Sequence, residues 1–378
     1  MSSSSRKLIA GVIAERTQGE RRVAMVPSDV RRLESKVTFL VEHGAGNAAG
    51  FTDEAYAVAG AVLADRDALL AQADVILAVR FPADIDSWRE NGVLISLGTR
   101  DTALEAACAK RRITHLGLER VPRIARAQSM DVLSSQAAIA GYAAVLEGAR
   151  SLDVMLPMST TAAGSIKPAR MIALGAGVAG LQAIATARRL GAITHGFDIR
   201  EAAREQVESV GAKFIHTGTP LASADGSGGY AAEQAAEEQE RLRRALAPEL
   251  KSMQLIITTA QVPGRRAPLL IDAATLKGLT PGTVIVDLAA ESGGNCEATR
   301  PDEIVEVAGV RIHGPTNLPS TVATDASRLF SGNLRSLLEH LLGADGQLRL
   351  DSADPIAGPL LGSQTRLVAA SPQPTTVA

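Results

Sequence analysis

Aromatic residues are scarce in this chain. Phe, Tyr and Trp make up 3% of its 378 residues, and Trp88 is the single tryptophan. With Ala, Val, Leu and Gly taking up the difference, the composition suits small-residue helices on parallel strands better than a β-sandwich. Cysteine is nearly absent: Cys108 and Cys296 lie far apart, without a CxxC or a histidine at ligand spacing, which excludes a disulfide framework or a zinc site. The six histidines do not cluster, and no metal site is expected. No excess of either charge sign exists; the formal net charge of −2 leaves no electrostatic footprint for nucleic acid or an anionic membrane. Small molecules or other proteins are the expected partners. The start, M-S-S-S-S-R-K, has no apolar stretch of a secretory signal, so a reducing, cytosolic setting is expected. The uncharged run Met171–Ala187 approaches the length of a membrane span, but Gly175, Gly177, Gly180 and Gln182 divide it into a strand and a helix. No transmembrane segment is predicted.

What is present is a 46% hydrophobic chain long enough for two or three domains with real cores. Strand-like runs at Leu8–Ala14, Thr38–Glu42, Val75–Val79, Val93–Leu97 and Ile113–Leu118 alternate with helix-like segments. The helices open at Ser28, cover Asp53–Ala59 and cover Asp101–Lys110, with Asp53 and Asp101 as predicted N-caps. Short apolar strands between helices predict a parallel sheet covered on both faces. An Ala-rich helix over about Asp131–Arg150 would span roughly 30 Å, enough to bridge two domains. Pro157, Ser159–Ser165 and Pro168 then interrupt the pattern.

A second block follows, with strands Met171–Leu174, Thr194–Phe197, Lys213–Ile215, Gln254–Thr259, Val284–Leu288 and Val310–His313. Its helices are Ala179–Leu190, Glu201–Ser209 and Ala231–Leu246, and a Gly/Ser/Asp-rich loop over Thr217–Tyr230 is long enough to be a functional segment. A last helix, Val322–Leu342, ends at Gly343, and a Pro- and Gly-rich tail follows, expected to be disordered from about Ala370. The predicted fold is α/β: two Rossmann-like doubly wound domains with mainly parallel sheets, joined by long helices around a nucleotide cleft. Residues 1–130 with 320–345 form the first domain, 131–319 the nucleotide-binding domain with its linking helix, and 346–378 the tail.

Within the second block, G-A-G-V-A-G places Gly175, Gly177 and Gly180 between a strand and a helix, and Asp198 ends the next strand. A lone GxGxxG is weak evidence; in this context it is a dinucleotide fingerprint. Gly175 permits the turn, Gly177 lets a pyrophosphate approach the backbone, and Gly180 lets the helix lie close to the sheet. The Val178 amide would face the anion at the positive helix end. Asp198 would accept hydrogen bonds from the adenosine ribose and repel a 2′-phosphate, favouring NAD(H), although the adjacent Arg200 can accommodate that phosphate.

The stretch R-V-P-R-I-A-R-A-Q-S-M-D-V-L-S-S, Arg120–Ser135, joins the two blocks. By itself it reads as a linker opening a helix, with Ser129 or Asp131 as N-cap. Beside a dinucleotide site it becomes a polar wall where the nicotinamide would emerge. Gln128 can both donate and accept at a carboxamide or ribose hydroxyl, Arg123 and Asp131 can form an ion pair, Arg126 adds a second guanidinium, and Ser134 lies one turn into the helix. None of these is a good proton shuttle at neutral pH.

Four segments carry a family resemblance: G-E-R-R-V-A-M-V-P-S, R-I-A-R-A-Q-S-M-D-V-L-S-S-Q, L-G-A-G-V-A-G-L-Q-A-I-A-T-A-R-R-L-G-A and V-I-V-D-L-A-A-E-S-G-G-N-C. They resemble the NAD(H)-binding domain of proton-translocating NAD(P) transhydrogenases, a family with alanine dehydrogenase as a relative. The resemblance covers nearly the whole chain except the tail, and R-A-Q-S-M-D is its most specific motif. It implies direct hydride exchange between NAD(H) here and NADP(H) on a separate component, coupled to proton movement through a membrane-spanning subunit. It also implies a homodimer that is cytoplasmic and peripheral to the inner membrane through its partners. Arg123, Gln128, Asp131 and Ser134 would surround the nicotinamide, with Gln128, Arg123 and Asp131 the catalytic candidates. Gly229–Tyr230 would close over the nucleotide, and Val178, Asp198, Ile199, Arg200 and Gln261 would touch it. The last departs from the family, since T-A-Q-V-P-G has Gln261 where leucine is expected.

Chemistry on the residues points the same way. Passing hydride between two nicotinamides demands apposition of the rings, whereas amino-acid dehydrogenation also needs an acid/base for its amine steps. Resemblance to alanine dehydrogenase would call for a lysine and a histidine in the first domain. Arg80 and Ser96 stand at those places, while Arg22 is retained. A third reading, an NAD-binding module without chemistry, gives the R-A-Q-S-M-D stretch nothing to do.

Overall fold

The computed structural model describes residues 6–98, 102–217, 236–262 and 265–362, and they fall into two units. The first takes the described residues up to Gln136 and from Ser320 onward; the second takes Ala137–Pro319.

The first unit opens with β1 (Leu8–Val12), α1 (Pro27–Leu33), β2 (Val37–Glu42), α2 (Asp53–Val58), β3 (Val62–Ala64), α3 (Arg66–Gln72), β4 (Val75–Leu77), β5 (Val93–Ser96), α4 (Thr102–Lys110) and β6 (Thr114–Gly117). Its six strands run in the order β3-β2-β1-β4-β5-β6, all parallel. Apolar residues from both sheet faces are buried, with Val12, Phe39 and Leu77 on one side and Leu69, Ile76 and Leu94 on the other. That two-sided burial is why the strands read as continuous apolar runs. Asp53 is not the cap of α2: Thr52 is, its Oγ1 accepting from the Ala55 amide at 3.3 Å. Asp53 instead accepts from the Gly44 amide at 2.9 Å. Asp101 lies outside the described residues.

Helix α5 (Val132–Ser151) begins in the first unit and its residues from Ala137 belong to the second. There follow a two-stranded hairpin, β7 (Ser159–Thr161) and β8 (Gly164–Ile166), then β9 (Arg170–Leu174), α6 (Val178–Arg189), β10 (Ile193–Phe197), α7 (Ala203–Ser209), β11 (Lys213–Phe214), α8 (Ala236–Leu250), β12 (Leu255–Thr258), α9 (Ala273–Gly278), β13 (Val284–Asp287), β14 (Ile304–Val307) and β15 (Val310–His313). The larger sheet has the order β11-β10-β9-β12-β13-β15-β14, parallel except for the last pair. The chain reverses direction of travel across this sheet between β9 and β12, the place where doubly wound sheets bind ligands beyond the strand ends.

Two helices complete the first unit, α10 (Ala323–Leu341) and α11 (Ala357–Leu361). One face of α10 (Phe330, Leu334, Leu337, Leu338, Leu341) is buried in the same core as β1 and β2. The segment assigned to a tail belongs to this unit as far as it is described: Ile356, Leu360 and Leu361 are buried in that core. The rest of the tail lies outside the described residues. Among the described residues, no helix is long and apolar enough to cross a membrane.

Candidate functional site

In the second unit, β9 ends at Leu174 and the chain turns through Gly175 at φ +101°, a conformation that disfavours any side chain. A Cβ there would press on Thr259 Oγ1, which donates a 2.9 Å hydrogen bond to the Gly175 carbonyl. A Cβ at Gly180 would collide with that same carbonyl, so α6 lies against the turn only because Gly180 has none. Gly177 is different. It caps α6 with ordinary backbone angles, and a Cβ there would meet nothing within 4 Å. Open space above the first amides of a twelve-residue helix is what a bound pyrophosphate needs, since those amides lack partners within the helix. The residues fit a dinucleotide.

Asp198, just past β10, is already engaged. Its Oδ2 accepts from the Ala176 amide at 2.8 Å, tying the end of β10 to the Gly-rich turn. Arg200 binds both of its oxygens, Nε to Oδ1 at 3.0 Å and Nη2 to Oδ2 at 2.9 Å, and the Arg200 amide adds a third bond at 2.9 Å. The carboxylate and the guanidinium that pull nucleotide preference in opposite directions therefore sit on each other. Val178 is exposed at the head of α6, and Ile199 packs against the sheet core.

The loop after β12 faces the same turn through Thr259, and a polar knot that sequence reasoning missed fixes it. Buried Asp287 accepts from Thr258 Oγ1 (2.7 Å), Thr299 Oγ1 (2.6 Å) and the amides of Ala289, Asn295 and Cys296. Asn295, so held, donates to the carbonyls of Ala260 and Pro268 at 2.8 Å each and accepts from the Ala260 amide at 3.1 Å. Gln261 follows, exposed, with Nε2 donating to the Leu288 carbonyl at 2.9 Å. Gly229 and Tyr230 lie outside the described residues.

In the first unit, Ala125–Met130 forms a 3₁₀ turn with Ala127 and Met130 buried in the core. Asp131 caps α5: its Oδ1 accepts from the Ser134 amide at 2.9 Å and its Oδ2 from Ser134 Oγ at 2.6 Å. This decides between the two predicted caps in favour of Asp131 over Ser129. The expected ion pair is not formed; among the described residues none joins Arg123 to Asp131, whose carboxylate is occupied by Ser134. Arg123, Arg126 and Gln128 are exposed. The Gln128 amide makes no side-chain hydrogen bond among the described residues, so its donor and acceptor are unspent. No group of His, Cys, Asp and Glu among the described residues could hold a metal ion.

Known proteins share this arrangement. The alanine dehydrogenase/PNT N-terminal domain matches residues 11–140, and the alanine dehydrogenase/PNT C-terminal domain matches residues 144–365. The chain belongs to the alanine dehydrogenase/PNT family. An NAD(P) transhydrogenase alpha subunit of Rhodospirillum rubrum is 45% identical over 336 residues, 86% of this chain and 88% of that protein. The crystal structure of transhydrogenase from Sinorhizobium meliloti has a TM-score of 0.83 at 40% identity, covering 93% of this chain and 97% of that one. An L-alanine dehydrogenase structure has a TM-score of 0.73 at 26% identity, with 93% and 99% covered. The chain thus stands with the transhydrogenase alpha subunits of a nicotinamide-nucleotide-binding family.

Within this alanine dehydrogenase/PNT chain, the residues that bear on amino-acid chemistry are engaged with one another. Buried Arg22 holds Glu20 through Nε–Oε1 (2.8 Å) and Nη2–Oε2 (2.6 Å), and Arg80 Nε reaches Glu20 Oε2 at 3.1 Å. Burial alone would raise the Glu20 pKa, but the bonds and charge of Arg22 overcome it and hold it at about 2. Glu15 accepts from the amides of Val79 (2.6 Å) and Arg80 (3.2 Å). Burial dominates there and pushes it up to about 7, with the Glu20 charge adding to the rise. Ser96 donates to the Leu97 carbonyl at 2.9 Å and lies 3.1 Å from His115 Nε2. That histidine is buried, and burial pushes it down to about 4, leaving it neutral.

Proposed function

We propose that this chain is the NAD(H)-binding subunit of a proton-translocating transhydrogenase. It exchanges hydride between NAD(H) held here and NADP(H) held on a partner, alongside a membrane-spanning proton-channel subunit. The observation that carries this reading is the Arg120–Ser135 stretch, which presents an unspent amide at Gln128, exposed Arg123 and Arg126, and a capped Asp131–Ser134 pair, with no acid/base of tuned pKa. When bound, NAD(H) supplies the hydride; NADH is oxidised as NADP⁺ is reduced. Gly175, Gly177, Val178 and Gly180 bind the pyrophosphate with backbone amides. Asp198 accepts from the ribose hydroxyls and disfavours a 2′-phosphate, with Arg200 restraining the carboxylate. Ile199, Gln261, Gly229 and Tyr230 complete the nucleotide contacts. Gln128, Arg123, Asp131 and Ser134 orient the nicotinamide, which is all that ring-to-ring transfer requires of the protein.

The amino-acid dehydrogenase reading loses support from the first unit. Arg22 and Arg80 are committed to Glu20, and the histidine beside Ser96 is buried and neutral. In the cell the chain would be cytoplasmic, a homodimer peripheral to the inner membrane through its partners. The test is whether purified chain binds NADH yet transfers hydride only when an NADP(H)-binding component is added. Robust NADH oxidation with pyruvate and ammonia would overturn the proposal.

A further inference from the structure

The side chain of Gln128 is unspent, yet the backbone around it is gripped from α10. Asn333 Nδ2 donates to the Ser129 carbonyl at 2.8 Å, and Asn333 Oδ1 accepts from Ser135 Oγ at 2.6 Å. One amide thereby spans the stretch from the residue after Gln128 to the first turn of α5. Gln136, buried beside it, repeats the pattern: Nε2 donates to the Ala326 carbonyl of α10 at 3.0 Å, and Oε1 accepts from Arg22 Nη1 at 2.8 Å. Arg22 is in turn locked on Glu20, which Ser320 Oγ also holds at 2.6 Å. A short 3₁₀ turn has few and poorly aligned bonds of its own, so its geometry depends on such outside anchors. The side chains of Ala127 and Met130 fix its depth in the core, but burial does not fix the rotation of the intervening peptides. Asn333 does, by bonding the Ser129 carbonyl directly.

We infer that Asn333 is a positioning residue for hydride transfer: it sets the peptide orientation from which Gln128 and Asp131 meet the nicotinamide. The inference rests on the nicotinamide-facing reading of Arg120–Ser135. Asn333 touches no substrate; it acts through Ser129 and Ser135. It also lies in the first unit, away in sequence from every nucleotide-anchoring residue of the second, so its loss must fall on transfer and spare affinity. An Asn333→Asp change keeps an acceptor for Ser135 but puts an oxygen where the amide nitrogen met the Ser129 carbonyl, turning attraction into repulsion. Asn333→Ala removes both bonds.

The experiment measures single-turnover hydride transfer and NADH dissociation constants for the full chain with an NADP(H)-binding component. The variants are Asn333→Asp, Asn333→Ala, Ser135→Ala and Gln128→Asn, each with a melting temperature. Misplacement of a reacting group on the ångström scale costs one to two orders of magnitude, so both Asn333 variants should slow transfer about tenfold or more. NADH affinity should stay within about twofold, the pattern of an interaction realised only during reaction. Asn333→Ala combined with Ser135→Ala should be no slower than Asn333→Ala alone, since the two share one bond. Transfer at the unaltered rate in Asn333→Ala, with Gln128→Asn slowed, would overturn the inference and leave the reading of the stretch standing. If Gln128→Asn were also unimpaired, that reading would fall and the inference with it. A rate loss matched by an equal loss of NADH affinity, or by unfolding at the assay temperature in both Asn333 variants, would show a structural role and overturn it as well.

Discussion

Three glycines in one hexapeptide do three different jobs, and single substitutions separate them. Gly177 has ordinary backbone angles and open space where a Cβ would go. Gly177→Ala should therefore leave the melting temperature nearly unchanged while weakening NADH binding about tenfold, since crowding a close approach costs on the order of 1–3 kcal/mol. Calorimetry of fold and ligand together checks this; unaltered affinity would mean that no phosphate approaches Gly177. Gly180→Ala should do the reverse first, destabilising the fold by about 2 kcal/mol because a backbone carbonyl cannot move aside. Asp198 and Arg200 form the other residue pair worth dissecting. Removing the carboxylate with Asp198→Ala deletes the ribose acceptor and frees a guanidinium, so the preference for NADH over NADPH should narrow, read as the ratio of their dissociation constants. The same logic gives Glu20→Ala a large structural cost. It leaves buried Arg22 without its carboxylate, worth about 3–5 kcal/mol, measurable by denaturant unfolding.

At the scale of elements, the alternation of apolar runs and helices made both sheets legible, because strands covered on both faces are apolar throughout. The Gly175–Asp198 unit was legible for a different reason: its spacing is local, a strand, a turn and a helix within thirty residues. What escaped were the elements with little apolar signal. Strand β3 has three residues, none buried, and the β7–β8 hairpin is largely exposed. Helix α11 was hidden in a Pro- and Gly-rich segment although Ile356, Leu360 and Leu361 give it a buried face. Within the candidate site, residue types could be read but their partners could not. Asp131 reads as a cap because its partner is three residues away. Its pairing with Arg123 depends on side-chain direction, which spacing does not give, and Ser134 takes the carboxylate instead. Asn295 and Asn333 were missed because the groups they hold are distant in sequence, Ala260 at a separation of 35 and Ser129 at 204. Nothing in an isolated asparagine announces a clamp.

Considered as a whole, the molecule should carry two opposed pH dependences in one cluster. The Glu15 pKa lies above its ordinary value of 4.5, at about 7. Its contribution to stability is thus fully present below the ordinary value and lost as pH rises through about 7. Glu20, depressed to about 2, contributes above its ordinary value and loses that contribution as pH falls toward 2. Denaturant midpoints should therefore decline between about pH 5 and pH 8, and Glu15→Ala should flatten that slope whatever it costs in absolute stability. An unchanged slope would place the titration elsewhere.

The central claim is that this chain transfers hydride by orienting a nicotinamide and does no acid/base chemistry of its own. It is tested most directly by single-turnover transfer with an NADP(H)-binding component, comparing Gln128→Asn with the unaltered chain. Shortening the side chain by one methylene should preserve NADH affinity and slow transfer about tenfold or more, while neither protein turns over pyruvate and ammonia. Equal transfer rates in the two proteins, or robust amino-acid dehydrogenation by either, would contradict the account.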